Sequence, residues 1–284
     1  MIKSFLRLSL FRIVSTAVLL TFAASVLVIV IADAAYVDRQ SFLEVLQSPD
    51  IRAAFLLTLF TSLVTTALCL VVGVLSAYAL SRFPLPGNDV VDTFVDLLII
   101  LPVLVIGVSL LVVFRMGARL EAADLFLLSS VGSLFSSAGD FFIYTRPGIV
   151  LAQFFCSVPF AIRTIKAAFD HIDPRTEQVA MTLGCSRAQA FRRITLPLAR
   201  QGIVAGGVLA WARAFGLFGP VAIVAGAVRQ KTEVLSTSIY LEISIGRLET
   251  ALSVSLIMFL AAFVILFLMR RLSGGNIFGL GGRP

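Results

Sequence analysis

Charge is scarce in these 284 residues: Asp, Glu, Lys and Arg together make 14%, while 59% of the chain is hydrophobic at a mean hydropathy of +1.02. Water-soluble domains carry about 25% charged residues, so a soluble globular chain is excluded. Histidine occurs once, at His171, and cysteine three times, at Cys69, Cys156 and Cys185. No second His or Cys stands at metal-ligand spacing, so no metal site is expected. The odd cysteine count, without a C-x-x-C pair, argues against a disulfide framework, and the three are read as small packing residues. No G-x-x-x-x-G-K-[ST] phosphate loop is present, so the chain cannot hydrolyse ATP itself. Neither a Ser–His–Asp set nor paired acids within the apolar runs point to catalysis; no catalytic residue is assigned and the chain is not read as an enzyme.

What fills the chain instead is apolar sequence. Runs of about 20 residues, long enough to cross the hydrocarbon, stand at roughly 13–32, 54–80, 93–114, 148–169, 202–226 and 250–270. They predict an all-α polytopic bundle of six transmembrane helices with both termini on one side. Residues 1–12 form a cytoplasmic N-terminal segment, 13–272 the transmembrane domain with a loop at 170–200 between spans 4 and 5, and 273–284 a Gly-rich, disordered cytoplasmic tail. The first run is longer than a signal-peptide core and is retained as a span. The net charge of +7 follows topology: with the N-terminus inside, fourteen basic residues fall in cytoplasmic segments and eight in the opposite loops, as the positive-inside bias requires. Nucleic acid is therefore not expected as a partner; membrane lipid is. The segment 117–146 is read as an external amphipathic stretch packed on the bundle rather than a re-entrant or seventh span, which would place the arginine-rich loop outside.

That loop is the most informative stretch. Asp173-Pro174 reads as a helix start, with Asp as N-cap and Pro at the first helical position. The helix runs to about Leu183 and stops at Gly184, which tolerates the left-handed conformation. A second helix carries Ala188 to Thr195, with Arg187, Arg192 and Arg193 available to lipid phosphates or an acidic partner, and Pro197 ends it. In order, Glu177, Ala180, Gly184 and Ile194-Thr-Leu196-Pro197 resemble the cytoplasmic loop by which permease subunits of bacterial ABC importers dock onto their ATPase. The family pattern is E-A-A, three residues, Gly, nine residues, I-x-L-P. The Gly-to-Ile-Leu-Pro spacing is intact; Glu177 stands one place early, with Gln178 and Val179 in the next two positions.

From about Thr58 to Leu268 the chain is similar to sulfate- and molybdate-type permeases, through Gly148–Phe154, Pro159–Arg163, Val208–Gly216 and Phe218-Gly219. Relatives usually carry Glu where Leu217 stands. The resemblance implies that Asp173, Glu177, Ala180, Gly184, Ile194, Leu196 and Pro197 serve ATPase coupling. It also implies a cytoplasmic ABC ATPase dimer that uses ATP and Mg, a second permease copy or paralogue, and an external solute-binding protein. This chain binds no cofactor of its own. The setting is a bacterial or archaeal cytoplasmic membrane, and the cargo an inorganic oxyanion, molybdate or tungstate first and sulfate or thiosulfate next. The alternatives are a permease for another small solute, a passive channel or a membrane enzyme.

Within the fifth span, Arg213 falls near mid-membrane, where a charge needs water or a partner. Two readings stand: it lines an anion pathway, or it is buried against carbonyls or an acid of another helix. Phe215, Gly216, Gly219 and Pro220 accompany it as pathway or gate candidates. Gly219-Pro220 is expected to interrupt the helix, and the many glycines serve either a gate or close packing. Arg163 and Asp96, at similar depth in spans 4 and 3, are expected to pair structurally. Pro102 and Pro159 are expected kinks.

Overall fold

The computed structural model describes residues 2–83, 86–121 and 136–272. Among these, every regular element is helical. Helix α1, Ile2–Tyr36, runs unbroken through the expected N-terminal segment and first span, and its outer surface is exposed along its whole apolar length. A short α2, Arg39–Gln47, is capped by Asp38, whose Oδ2 accepts from Gln40 N at 3.0 Å. Pro49, in the first turn where its missing N–H costs nothing, starts α3, Pro49–Arg82. Then come α4, Asn88–Ile100, α5, Val103–Glu121, a short α6 over 136–142, and α7, Arg146–Asp170. The polar stretch folds as α8, Arg175–Thr182, α9, Arg187–Ala190, a π-helical turn at Phe191–Thr195, and α10, Leu196–Leu198. The chain closes with α11, Arg200–Phe215, α12, Gly219–Val224, α13, Leu235–Ser244, and α14, Leu248–Leu272.

Among the described residues, four helices are long and apolar enough to cross a membrane: Leu10–Tyr36, Pro49–Arg82, Arg146–Asp170 and Leu248–Met269. The number rises to six if each of two bent pairs is one span: Asn88–Ile100 with Val103–Met116, bent by 113°, and Arg187–Leu198 with Arg200–Phe215, bent by 72°. The run at 93–114, read as one span, is thus two helices turned sharply at Leu101-Pro102. Proline cannot continue an α-helix ladder and pushes its predecessor out of helical geometry. Pro159, by contrast, stays inside α7 without ending it. The span read at 202–226 is also split, but not where expected. Gly219 and Pro220 begin α12, and α11 has already stopped at Phe215.

The centre of the molecule is α7 packed between α3 and α11. Lipid supplies little hydrophobic drive between helices, so small side chains and interhelical hydrogen bonds do the joining. A Cβ at Gly202 would lie 2.2 Å from that of Ala168, and one at Gly206 2.8 Å from Ile165; these glycines let α11 lie directly on α7. Across the other face, Gln153 is buried, accepts from Thr65 Oγ1 at 3.0 Å and donates to Ala214 O at 3.1 Å. It therefore joins α3, α7 and the last turn of α11 at the break. Ser236 of α13 completes the break by donating to Leu217 O at 2.8 Å. Of the segment 117–146, α6 returns against α5, with Phe142 stacked on Phe114 at 5.7 Å. Its Ser- and Gly-interrupted portion lies outside the described residues, as does the tail after residue 272.

Candidate functional site

The polar loop begins as expected but with a shifted cap. Asp173 Oδ1 accepts from Arg175 N at 2.9 Å, and Pro174 occupies the N-cap position of α8. At the other end Gly184 has φ +94°, and a Cβ there would meet nothing within 4 Å. Gly184 N donates to Met181 O and Cys185 N to Ala180 O, at 3.0 and 3.1 Å, the paired bonds of a Schellman stop. The next helix opens earlier than residue 188: Ser186 and Gln189 form a reciprocal capping box. Pro197 does not end this helix; it lies within α10. A proline there would crowd the carbonyl four residues back in a regular helix. The π turn just ahead, in which Leu196 N–H reaches Phe191 O, widens the ladder by one residue.

Glu177 points inward. It is only 5% exposed, and its carboxylate accepts from Thr195 Oγ1 at 2.6 Å, Tyr78 Oη at 2.9 Å and Arg82 Nε at 3.1 Å. Arg82 Nη2 also donates to Phe169 O and Ile172 O, at 3.0 and 2.8 Å. One knot thus joins the end of α3, the end of α7, α8 and the π turn. Burial works against the charged form of Glu177, but the bonds from Thr195, Tyr78 and Arg82 outweigh it and hold the carboxyl below its usual range. A carboxylate engaged in this way has no face left for another protein. Ala180, one turn on, is buried beside it, and Ile194 and Leu196 are half-buried.

The opposite side of α8 carries what sequence reasoning missed. Val179 and Leu183, four residues apart and so on one face, are 58% and 81% exposed. Asp173, Gly184, Arg187, Arg192, Arg193, Pro197 and Leu198 are exposed too. Tyr78, Arg82 and Thr195 were also missed as partners of Glu177. An exposed i, i+4 apolar pair was the signal for the first set; nothing local signals the second.

Arg213 is exposed on α11, makes no ion pair or hydrogen bond among the described residues, and lies over the Phe160 ring at 5.3 Å. Of the residues grouped with it, Gly216 shares the open surface. Phe215 is buried against Trp211, with ring centroids 5.0 Å apart, and Pro220 is buried under α5. Gly219 lies so close to Leu104 that a Cβ would come within 2.6 Å. Phe160 and Arg163 share a face of α7 three residues apart. Arg163 Nε donates to Asp96 Oδ1 at 2.6 Å and Nη1 to Asp92 Oδ1 at 2.7 Å, so Asp92 is a second acid the sequence did not single out. Arg213, Phe160, Arg163, Asp92 and Asp96 together draw a polar track across α11, α7 and α4.

Residues 69–275 match the family described as binding-protein-dependent transport system inner membrane component. The chain belongs to that family. This permease is 32% identical over 225 residues to the sulfate transport system permease protein CysT of Salmonella typhimurium, covering 79% of this chain and 77% of that one. It is 33% identical over 218 residues to the molybdate/tungstate transport system permease protein WtpB of Thermococcus kodakarensis, covering 77% and 78%. The molybdenum transport system permease protein ModB of Mycobacterium tuberculosis is 30% identical over 236 residues, covering 83% and 84%. A bacterial alginate ABC transporter crystallised with its alginate pentasaccharide-bound periplasmic protein shares the fold, with a TM-score of 0.66 at 21% identity over 86% of this permease and 85% of that chain. The all-helical architecture and its several apolar helices are those of a multi-pass inner-membrane permease subunit.

Proposed function

We propose that this permease is the membrane-spanning subunit of an ATP-driven importer for an inorganic oxyanion of the molybdate, tungstate or sulfate type. It works as a pair with a second copy or a paralogue, above a cytoplasmic ATPase dimer and below an external solute-binding protein. The observation that carries the cargo class is Arg213. An exposed, unpaired guanidinium on a helix read as membrane-spanning is costly unless it serves an anion in a wetted path, and the relatives named above are permeases for such anions. Its seat over the Phe160 ring, a cation–π contact, holds it in place without neutralising it.

In this reading the arginine-rich loop faces the cytoplasm. Val179 and Leu183 on the exposed face of α8 enter the ATPase, and the Glu177 knot carries its movement into α3 and α7. Asp173, Ala180, Gly184, Ile194, Leu196 and Pro197 shape the loop rather than contact the nucleotide, which the partner binds with its magnesium. The two roles open for Arg213 separate on substitution. In proteoliposomes containing the assembled importer, ATP-dependent uptake of radiolabelled molybdate or sulfate should be abolished by Arg213→Met and partly kept by Arg213→Lys, which retains the charge but loses the planar fork. Both variants should keep near-native thermal stability. Full uptake by a stable Met variant, or a Met variant that merely fails to assemble, would remove the pathway role; absence of oxyanion uptake by the unmodified importer would remove the cargo class.

A further inference from the structure

The turn joining α12 to α13, residues 225–234, is built tightly. Gly226 and Gln230 both have positive φ, at +72° and +61°. The N–H groups of Lys231, Thr232 and Glu233 converge on Val228 O at 3.1, 2.9 and 3.0 Å. Its surroundings hold it on three sides. Arg229 reaches Glu242 of α13 at 2.6 Å and Asp50 of α3 at 3.4 Å, Gln230 donates to Asp50 at 2.7 Å, and Arg146 of α7 donates to Lys231 O at 3.1 Å.

At the end of this turn Glu233 is 2% exposed, and neither of its carboxylate oxygens has a donor. Buried polar atoms are nearly always paired, so the exception demands an explanation. Arg229 is already engaged by Glu242 and Asp50, Thr237 directs its hydroxyl to Val234 O at 2.8 Å, and Ser238, the one hydroxyl near Glu233, lies 3.2 Å from Val234 O. The charged groups facing Glu233 are Asp50, Glu242 and Arg229, with Lys231 in the turn and Arg146 beyond it: three carboxyls gathered around one guanidinium that already bonds two of them. Glu242 Oε2 is likewise buried without a donor. Among the described residues no cluster of three or more His, Cys, Asp or Glu is arranged to hold a metal ion. A proton on Glu233 removes its charge and turns one of its two unpaired acceptors into a donor.

We propose that Glu233 is a proton-binding site whose proton holds the 225–234 turn closed behind the break between α11 and α12. Burial first of all pushes the Glu233 carboxyl above its usual range; Asp50 and Glu242 add to this, and Ser238 and Arg229 pull the other way without cancelling it. The closed turn therefore binds the proton more tightly than an open, hydrated one does. Its stability is fully present below the ordinary carboxylate value and is lost as pH rises through the raised value. The site is independent of the cargo and of which way the permease faces.

The test is hydrogen exchange on the intact, purified importer, read in the peptide covering 227–234 and corrected for the intrinsic pH dependence of exchange. In the unmodified protein, protection of the Lys231, Thr232 and Glu233 amides should fall from mildly acid to mildly alkaline pH, by about tenfold for each unit by which the carboxyl is raised. Glu233→Gln, neutral at every pH, should keep the acid-side protection throughout; if it does not assemble, Glu233→Met, of similar bulk and also uncharged, takes its place. Protection that stays flat with pH in the unmodified protein, or a fall of equal size in the neutral variant, overturns the proposal. Neither readout depends on transport, so a wrong cargo assignment leaves the outcome unaffected.

Discussion

Two glutamates of this permease are buried to nearly the same depth, Glu177 at 5% and Glu233 at 2% exposure, and the protein treats them in opposite ways. Glu177 has three donors, two from α3 and one from the π turn, and keeps its charge. Glu233 makes no well-formed hydrogen bond, with only the Ser238 hydroxyl nearby, and sits with two other acids. Burial alone says nothing about the state of a carboxyl; what decides is whether donors were buried with it. Where they were, the acid is a fixed joint between helices, and where they were not, it is a point whose condition follows the solution.

The comparison is broken most decisively at Glu177. Glu177→Ala leaves Arg82 buried without its counter-charge and should cost about 3–5 kcal/mol, measured by denaturant titration of the purified permease in detergent. Glu233→Ala deprives no donor of its acceptor and should cost clearly less. Equal losses at the two positions would erase the distinction between a joint and a loose acid. A smaller effect isolates the loop from the joint. Gly184→Val forces a β-branched residue into a left-handed position with no steric neighbour, a backbone cost of about 1–2 kcal/mol. It should lower uptake and stimulation of ATP hydrolysis while leaving the Glu177 knot, insertion and pairing intact. Unchanged coupling would mean that the left-handed stop after α8 plays no part in coupling. The smallest and sharpest effect is one of sign. Glu177 has a depressed value, so its stabilisation is present above the ordinary carboxylate range and lost as pH falls through the lowered value. Hydrogen-exchange protection of α8 should therefore drop on the acid side, whereas that of 227–234 drops on the alkaline side. Two responses of the same sign would show that a common event, not two separate acids, governs both.

Much of this was legible in the chain. Apolar length located the long helices, and Gly184 announced the stop that ends α8, because a left-handed residue at a helix end is a local demand. Pro102 signalled a kink through its missing N–H, though a turn of 113° is more than a kink in one span. Gly219-Pro220 misled about position: proline is at home in the first turn of a helix, so it marks where α12 starts and not where α11 fails. The partners of Glu177 were illegible in principle. Tyr78 and Arg82 stand nearly a hundred residues earlier, and Arg82 looked like one more basic residue on the inner side of a span. Nothing local marks Glu233 either, since no short-range pattern reveals that a turn will fold it inward. The close seating of Gly202 and Gly206 on α7 is likewise visible only in distances.

Helix α3 reaches from one of these acids to the other. Its 34 residues make a rod about 50 Å long at 1.5 Å per residue, with Arg82 pinned at one tip to Glu177 and Asp50 at the other to Arg229 and Gln230. Such a rod is a lever: tilting it by about 5° with one tip held carries the far tip through about 4 Å, more than the length of a hydrogen bond. A displacement that begins at α8 therefore cannot stay local, and the first contacts it would strain at the opposite end are the ones that keep the 225–234 turn in its place.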